Sequence, residues 1–229
     1  MKLAADGPMA IPLWINGRAY LTVTETFLDV HDPATGEAIR RTPLAGADEV
    51  AEAVRAASGA QAGWRALSGQ ERQAYLHQLA RLLDQYTGHF ARLVRQETGC
   101  DEAAAQAEVA AAVAALQGEK ETPAGIVAVI VDASSPLAAV AAASAPFLRG
   151  AACVVVKPSP KAPGAAFALA ELSGRAGFPA GVFNLVHGDL AALEALASHQ
   201  GIESLEVSGE AGFVAQVREF ARRHGRALN

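Results

Sequence analysis

The sequence predicts an α/β fold: a parallel sheet with helices on both faces, preceded by a hairpin and a helical layer. Strand-like and helix-like segments alternate four times from residue 126 onward. That is the spacing of βαβ units, in which a helix must return the chain before the next parallel strand. The first of those strands, 126–131, is a continuous β-branched run, as a strand buried on both faces would be. Before it, residues 48–116 show apolar spacing of three and four, which places helices ahead of the sheet.

Each element has its own local reason. Leu13-Trp14-Ile15 and Arg18-Ala19-Tyr20 flank Asn16-Gly17, and both turn residues accept positive φ, so a two-residue hairpin is expected. Residues 26–30 suggest another strand, closed by a turn at Asp32-Pro33-Ala34-Thr35-Gly36. Asp48 is the expected cap of a helix that carries Val50, Val54 and Ala57 on one face and runs towards Trp64. Ser68 precedes a longer helix in which Tyr75, Leu76, Leu79, Leu82, Leu83, Phe90, Leu93 and Val94 share a stripe, with Gly99 as its stop. A third helix, 101–116, is mostly alanine with Val109, Val113 and Leu116 as its stripe, which implies close packing. Strands at 152–156, 182–186 and 204–207 alternate with helices at 138–148, 165–176, 190–198 and 211–224. The chain reads as one domain over 1–229, with hairpin and helices at 13–118 and βα repeats at 123–229.

Composition sets the outer bounds. The 229 residues include 53 alanines, and 51% hydrophobic with 19% charged residues exclude a disordered chain. No uninterrupted apolar stretch approaches the roughly 18 residues of a membrane span; the best, 136–148, is short and broken by Ser144. Residues 1–11 lack the basic-then-apolar order of a signal peptide, so a soluble cytoplasmic protein is expected. Cys100 and Cys153 make neither a disulfide framework nor a metal cluster, and the six histidines show no metal-ligand spacing. A net charge of -5 argues against nucleic acid. Arg218, Arg222, Arg223 and Arg226, interrupted by Glu219, read as a solvated helix end. Trp14 and Trp64 read as packing residues. His187 sits at a strand end facing the usual ligand crevice of such sheets, although an ordinary loop histidine is the simpler reading.

These residues resemble the first half of an aldehyde dehydrogenase. The resemblance runs in the family's order through Leu13-Trp14-Ile15-Asn16-Gly17, Asp32-Pro33-Ala34-Thr35-Gly36-Glu37, the helical stretch 50–64 and Glu97-Thr98-Gly99. It continues through Gly125-Ile126-Val127-Ala128-Val129-Ile130, Val155-Val156-Lys157-Pro158-Ser159, the segment 178–186 and Val207-Ser208-Gly209. It implies a Rossmann-like parallel sheet. In the family a cysteine thiolate attacks an aldehyde, hydride passes to NAD or NADP, and a glutamate activates water. The resemblance implies that this nucleophile lies beyond Asn229, so no catalytic residue is expected here. Cys153 is expected as a buried small residue and Cys100 as a solvent-side thiol, neither with an activating base.

Within the covered region the sequence departs from the family. Where the family has Pro-Trp-Asn-Phe-Pro, with the asparagine amide steadying the oxyanion, this chain reads Asp132-Ala133-Ser134-Ser135-Pro136. Lys157 matches the family lysine that binds the adenosine ribose, but Pro160 replaces the glutamate three residues on. Asp189-Leu190 follows Gly188 where a second glycine is common, and Ser208-Gly209-Glu210 replaces Thr-Gly-Ser. The Glu210 carboxylate is expected to sit at the N-terminus of the last helix and to repel phosphate there. Residues 117–125 connect directly where the family extends into its oligomerisation hairpin.

Together these imply a vestigial cofactor site at Lys157, Ser159, Gly188 and Gly209. No cofactor is expected, with NAD or NADP the ligand if the site is retained. The implied function is a structural or protein-interaction module whose partner is a second copy or a full-length dehydrogenase. It is similar to the vestigial dehydrogenase-like domain of some proline-catabolic enzymes. The alternative is an NAD(P)-binding subunit of an aldehyde oxidoreductase whose catalytic cysteine lies on another chain.

Overall fold

Asn16 and Gly17 take φ of 56° and 71°, and so fold β1 (Leu13–Ile15) back on β2 (Arg18–Tyr20), as both residue types permit. The computed structural model describes residues 8–22, 24–226 and 228; most of the segment read for a leader, residues 1–7, lies outside the described residues. Next come β3 (Phe27–His31) and a strand the sequence reading did not anticipate, β4 (Ala38–Pro43). β4 carries two arginines and little alternation. It forms because the turn at Asp32 delivers it against β3: Gly36 takes φ 72° and its N–H donates to the Asp32 carbonyl at 2.8 Å.

The helical layer follows. α1 (Ala47–Ala66) is capped two residues earlier than expected. Gly46, not Asp48, is the cap residue, and its N–H donates to Glu49 Oε2 at 3.0 Å. Ser68 does cap α2 (Gly69–Gln85), accepting from the Glu71 N–H at 3.2 Å while Glu71 Oε2 accepts from the Ser68 N–H at 2.7 Å. The long helix expected to run on to Gly99 is broken at Tyr86. That residue (φ -101°, ψ 20°) turns its N–H onto the Leu82 and Leu83 carbonyls before α3 (Thr87–Thr98) begins. Gly99 then ends α3 at φ 73°, as the sequence implies. Asp101 caps α4 (Glu102–Gln117) through the Ala104 N–H at 2.8 Å.

The second half alternates as expected: β5 (Ile126–Val131), α5 (Ala138–Arg149), β6 (Cys153–Lys157), α6 (Gly164–Arg175), β7 (Phe183–Leu185), α7 (Leu190–Ser198), β8 (Ser204–Ser208) and α8 (Ala211–Arg223). The six-stranded sheet runs β2-β1-β7-β6-β5-β8, with β5 to β8 mutually parallel and β1 antiparallel to β7 at Trp14↔Leu185. Every residue of β5 and β6 is buried, as the β-branched runs require. The buried Asn184 side chain stitches hairpin to sheet, accepting from the Asn16 N–H at 3.1 Å and donating to the Gly181 carbonyl at 2.7 Å.

The helical layer is locked to the sheet domain by two buried polar side chains. Trp64 is fully buried, lies over Phe178 at 5.6 Å between ring centroids, and donates through Nε1 to the Leu148 carbonyl at 3.0 Å. Arg149 is buried at the end of α5 and donates to the Ala115 and Leu116 carbonyls at 2.8 and 2.7 Å, closing the C-terminus of α4. The alanines of α5 are what let these helices approach: Ala139, Ala141, Ala143 and Ala145 are all buried. Among the described residues no helix is long and apolar enough to cross a membrane.

Candidate functional site

The sheet order itself locates the site. From β5 the chain winds outward through β6 and β7, then returns to lay β8 on the other side of β5. In open α/β sheets the crevice beyond the carboxyl ends of two strands flanking such a reversal is where ligands bind. Here its walls are the loops after β5 and β8, and a cavity of about 350 Å³ opens there beside Ser134, Ser135, Ala138, Ser208 and Gly209.

All four residues singled out from the sequence lie at this carboxyl edge of the sheet. Lys157 is the last residue of β6 and only 6% exposed. Its ammonium turns onto the chain itself, donating at 3.5 Å to the Pro158 carbonyl. Burial pushes its pKa down to about 8 against the opposing pull of Asp189. Ser159, half-buried, accepts from the Lys161 N–H at 3.3 Å. Gly188, at φ 150°, is buried where a side chain would overlap Ala192. Gly209 takes φ 154° after β8.

His187 lies in the loop after β7, as expected, but it is not at the surface. It is wholly buried, and Nε2 pairs with the Pro12 carbonyl at 3.1 Å; with Nε2 as donor, Nδ1 is an acceptor left without a hydrogen-bond partner among the described residues. Burial drives its pKa down to about 3, the Pro12 carbonyl opposing and nearby Lys157 adding to the fall. The imidazole is therefore neutral at physiological pH and faces the protein interior.

The crevice is bridged by Asp132, the first residue after β5. Its Oδ1 accepts from the Ser134 N–H at 2.9 Å and the Ser134 hydroxyl at 2.6 Å, while Oδ2 accepts from the Glu210 N–H at 2.7 Å, at the head of α8. Burial pushes the Asp132 carboxyl up, but the Ser134 and Glu210 hydrogen bonds outweigh it and hold it below its ordinary value. This corrects the sequence expectation: Glu210 makes no side-chain cap, and Asp132 is the carboxylate at that helix terminus. The signal was legible only as a loop aspartate followed by serines, and its partner is 78 residues away.

A second acid that sequence reasoning left without a role is Glu97. It is buried at the end of α3, and both of its carboxylate oxygens accept from the Gly164 N–H at 3.0 and 2.9 Å, with Arg40 Nε at 3.3 Å. It supplies the cap that α6 lacks locally, since Pro163 precedes that helix and has no side-chain acceptor. That missing local cap was the available signal. Burial raises the Glu97 pKa to about 7 despite Arg40 and the backbone donors. Cys153 is buried and its thiol pushed up to about 12 by burial, the opposite of an activated nucleophile. Cys100 is half-buried against the core rather than a solvent-side thiol.

Comparison with known proteins places this geometry. The pattern of the aldehyde dehydrogenase family matches residues 20–228. The chain belongs to the aldehyde dehydrogenase family. It is 32% identical over 243 residues to the NADP(+) succinate-semialdehyde dehydrogenase GabD of Escherichia coli K12, spanning 96% of this chain and 50% of that protein. With the glutarate-semialdehyde dehydrogenase of Pseudomonas aeruginosa it shares 34% identity over 184 residues, or 70% of this chain and 38% of that protein. Among solved structures, the succinate-semialdehyde dehydrogenase of Burkholderia pseudomallei superposes with a TM-score of 0.88 at 28% identity, covering 96% of this chain and 50% of that one. A putative methylmalonate-semialdehyde dehydrogenase from Sinorhizobium meliloti 1021, complexed with NAD, shares the fold with a TM-score of 0.90 at 24% identity over 96% of this chain and 49% of its own. The chain thus spans half or less of the length of these curated aldehyde dehydrogenases. Its mixed sheet and eight helices among the described residues are those of the family's Rossmann-like domain.

The crevice residues do not fit the dinucleotide that this membership implies. The α8 terminus already holds a carboxylate on the Glu210 N–H, and the Lys157 ammonium is buried against its own backbone.

Proposed function

We propose that this aldehyde dehydrogenase domain works in the cytoplasm as a non-catalytic module, structural or protein-binding, with a second copy or a full-length dehydrogenase as its partner. The observation that carries the reading is the loop after β5. Ser134 occupies the position of the family's oxyanion-donating asparagine, and its hydroxyl donates at 2.6 Å to Asp132. A serine is too short to place a donor where an amide would, and this hydroxyl is already engaged by Asp132. The Cys153 thiol, raised to about 12 by burial, offers no thiolate in its place. The reading is tested by following NADH or NADPH formation with succinate semialdehyde and other short aldehydes; no rate above buffer is expected, and turnover would overturn it. Light scattering at micromolar concentration, alone and mixed with a full-length family member, is expected to show a mass above that of the monomer.

A rival reading, a nucleotide-binding subunit serving chemistry on another chain, has Lys157 at the end of β6 and the small turn residue Gly188 in its favour. Micromolar affinity for NAD or NADP in isothermal titration would select it.

A further inference from the structure

We infer that Asp132 is a built-in anion: its carboxylate occupies the place at the β5–β8 reversal where a nucleotide phosphate would rest, and so keeps this domain closed to phosphate-bearing ligands. The inference rests on the non-catalytic reading above and gives it a single responsible residue. Three independent features of the structure converge on that side chain.

The first is topology. Asp132 leaves β5 and Glu210 follows β8, the two strands on either side of the reversal in the sheet, so their 2.7 Å hydrogen bond spans the mouth of the crevice. The second is electrostatic. A helix N-terminus carries about half a positive charge and free N–H groups, and an anion there satisfies both. α8 is 13 residues long, receives no cap from Glu210, and has Asp132 as the acceptor on its leading N–H. Phosphate brought to the same spot would meet a fixed negative charge that three hydrogen bonds hold ionised. The third is steric. Gly209 sits at φ 154°, and any side chain there would overlap the Asp132 carboxyl. Glycine at 209, which in a phosphate site lets the backbone approach the ligand, here lets it approach Asp132. The carboxylate has taken over the geometry of the ligand as well as its charge.

The test removes the carboxylate. Asp132→Ser abolishes both the charge and its reach to Glu210; Asp132→Asn keeps the shape and one oxygen acceptor for Ser134 while removing the charge, and so preserves folding if the serine variant does not. Each is titrated calorimetrically with ADP and with inorganic phosphate beside the wild-type chain, with circular dichroism to confirm the fold. At least tenfold tighter ADP binding is expected for Asp132→Ser, with a smaller gain for Asp132→Asn, and wild type giving no heat at millimolar ligand. If neither variant gains affinity for ADP or phosphate, Asp132 is not the block and the inference falls, although the non-catalytic reading stands. If the wild-type chain binds NAD at micromolar concentration and the variants bind no better, both fall. If wild type itself binds ADP at micromolar concentration, the crevice is open with Asp132 in place and the inference falls, whatever the variants do.

Discussion

Replacing Glu97 by glutamine should change how stability depends on pH more than it changes stability itself. The carboxylate is fully buried between the start of α6 and Arg40, whose side chain is 19% exposed. Its folded-state pKa is raised from the ordinary 4.5 to about 7, burial being the main cause. A raised folded value means that the folded protein holds this proton more tightly than the unfolded chain. Its stabilising contribution is therefore complete below pH 4.5 and is lost as pH rises through 7. At about 1.4 kcal/mol per pH unit, the loss between pH 4.5 and 8 amounts to roughly 3 kcal/mol. Glutamine carries no proton in this range and keeps an oxygen for the Gly164 N–H. Urea unfolding followed at 222 nm, at pH 5, 6, 7 and 8, gives both profiles. The difference between wild type and Glu97→Gln should swing by roughly 3 kcal/mol in favour of the variant from pH 5 to 8. Parallel profiles would refute the reasoning, because they would mean that Glu97 stays ionised throughout. Glu97→Ala, which leaves the α6 donors and Arg40 without an acceptor, should cost about 2–4 kcal/mol at pH 5, a cost that shrinks towards pH 8 as the wild type loses the contribution of its protonated acid.

Three further outcomes follow from the packing. His187, with its folded-state pKa depressed to about 3, binds its proton only on unfolding, so it stabilises the protein above pH 6.5 and that contribution fades as pH falls towards 3. His187→Gln should therefore move the acid-unfolding midpoint to lower pH, and an unchanged midpoint would count against a buried neutral imidazole. Gly181 has φ 87° and faces the Ala56 carbonyl of α1 so closely that a Cβ would overlap it. Gly181→Ala should lower stability by about 2–4 kcal/mol in denaturant titration. Arg149→Leu frees the carbonyls at the end of α4 and should cost about 2–3 kcal/mol, seen also as faster amide exchange in residues 112–117.

What the sequence revealed and what it hid divide along a physical line. Ile126–Val131 was legible because a β-branched run is a local pattern, and the helix at about 190–198 because its apolar spacing is local too, although the Asp189 cap that starts it was not read from the sequence. Gly99 and Ser68 were legible for the same reason, since caps act within one turn. β4 was not, because Arg40 and Arg41 carry no strand period and the strand is held by non-local partners, β3 and the bridge from Ala10 to Arg41. The break at Tyr86 was hidden by an apolar stripe that runs straight across it from Leu83 to Phe90, both of which face the core. In the candidate site the glycines and Lys157 could be placed from the sequence. The residues that decide its character, Asp132 and His187, take their meaning from Glu210 and Pro12, 78 and 175 positions away.

The pairing of β1 with β7 has a consequence for the order in which the molecule assembles. Trp14 meets Leu185, and the Asn16 amide reaches the Asn184 side chain across 168 positions of chain. The hairpin leaves the ribosome well before β7, its partner in the sheet, which follows 168 positions later. At ordinary synthesis rates of about 5–20 residues per second, it waits roughly ten seconds or more with Leu13 and Ile15 uncovered. Contacts of such long sequence separation slow folding, because loop closure must come before they help. The β1–β2 pair is thus among the last elements to be seated.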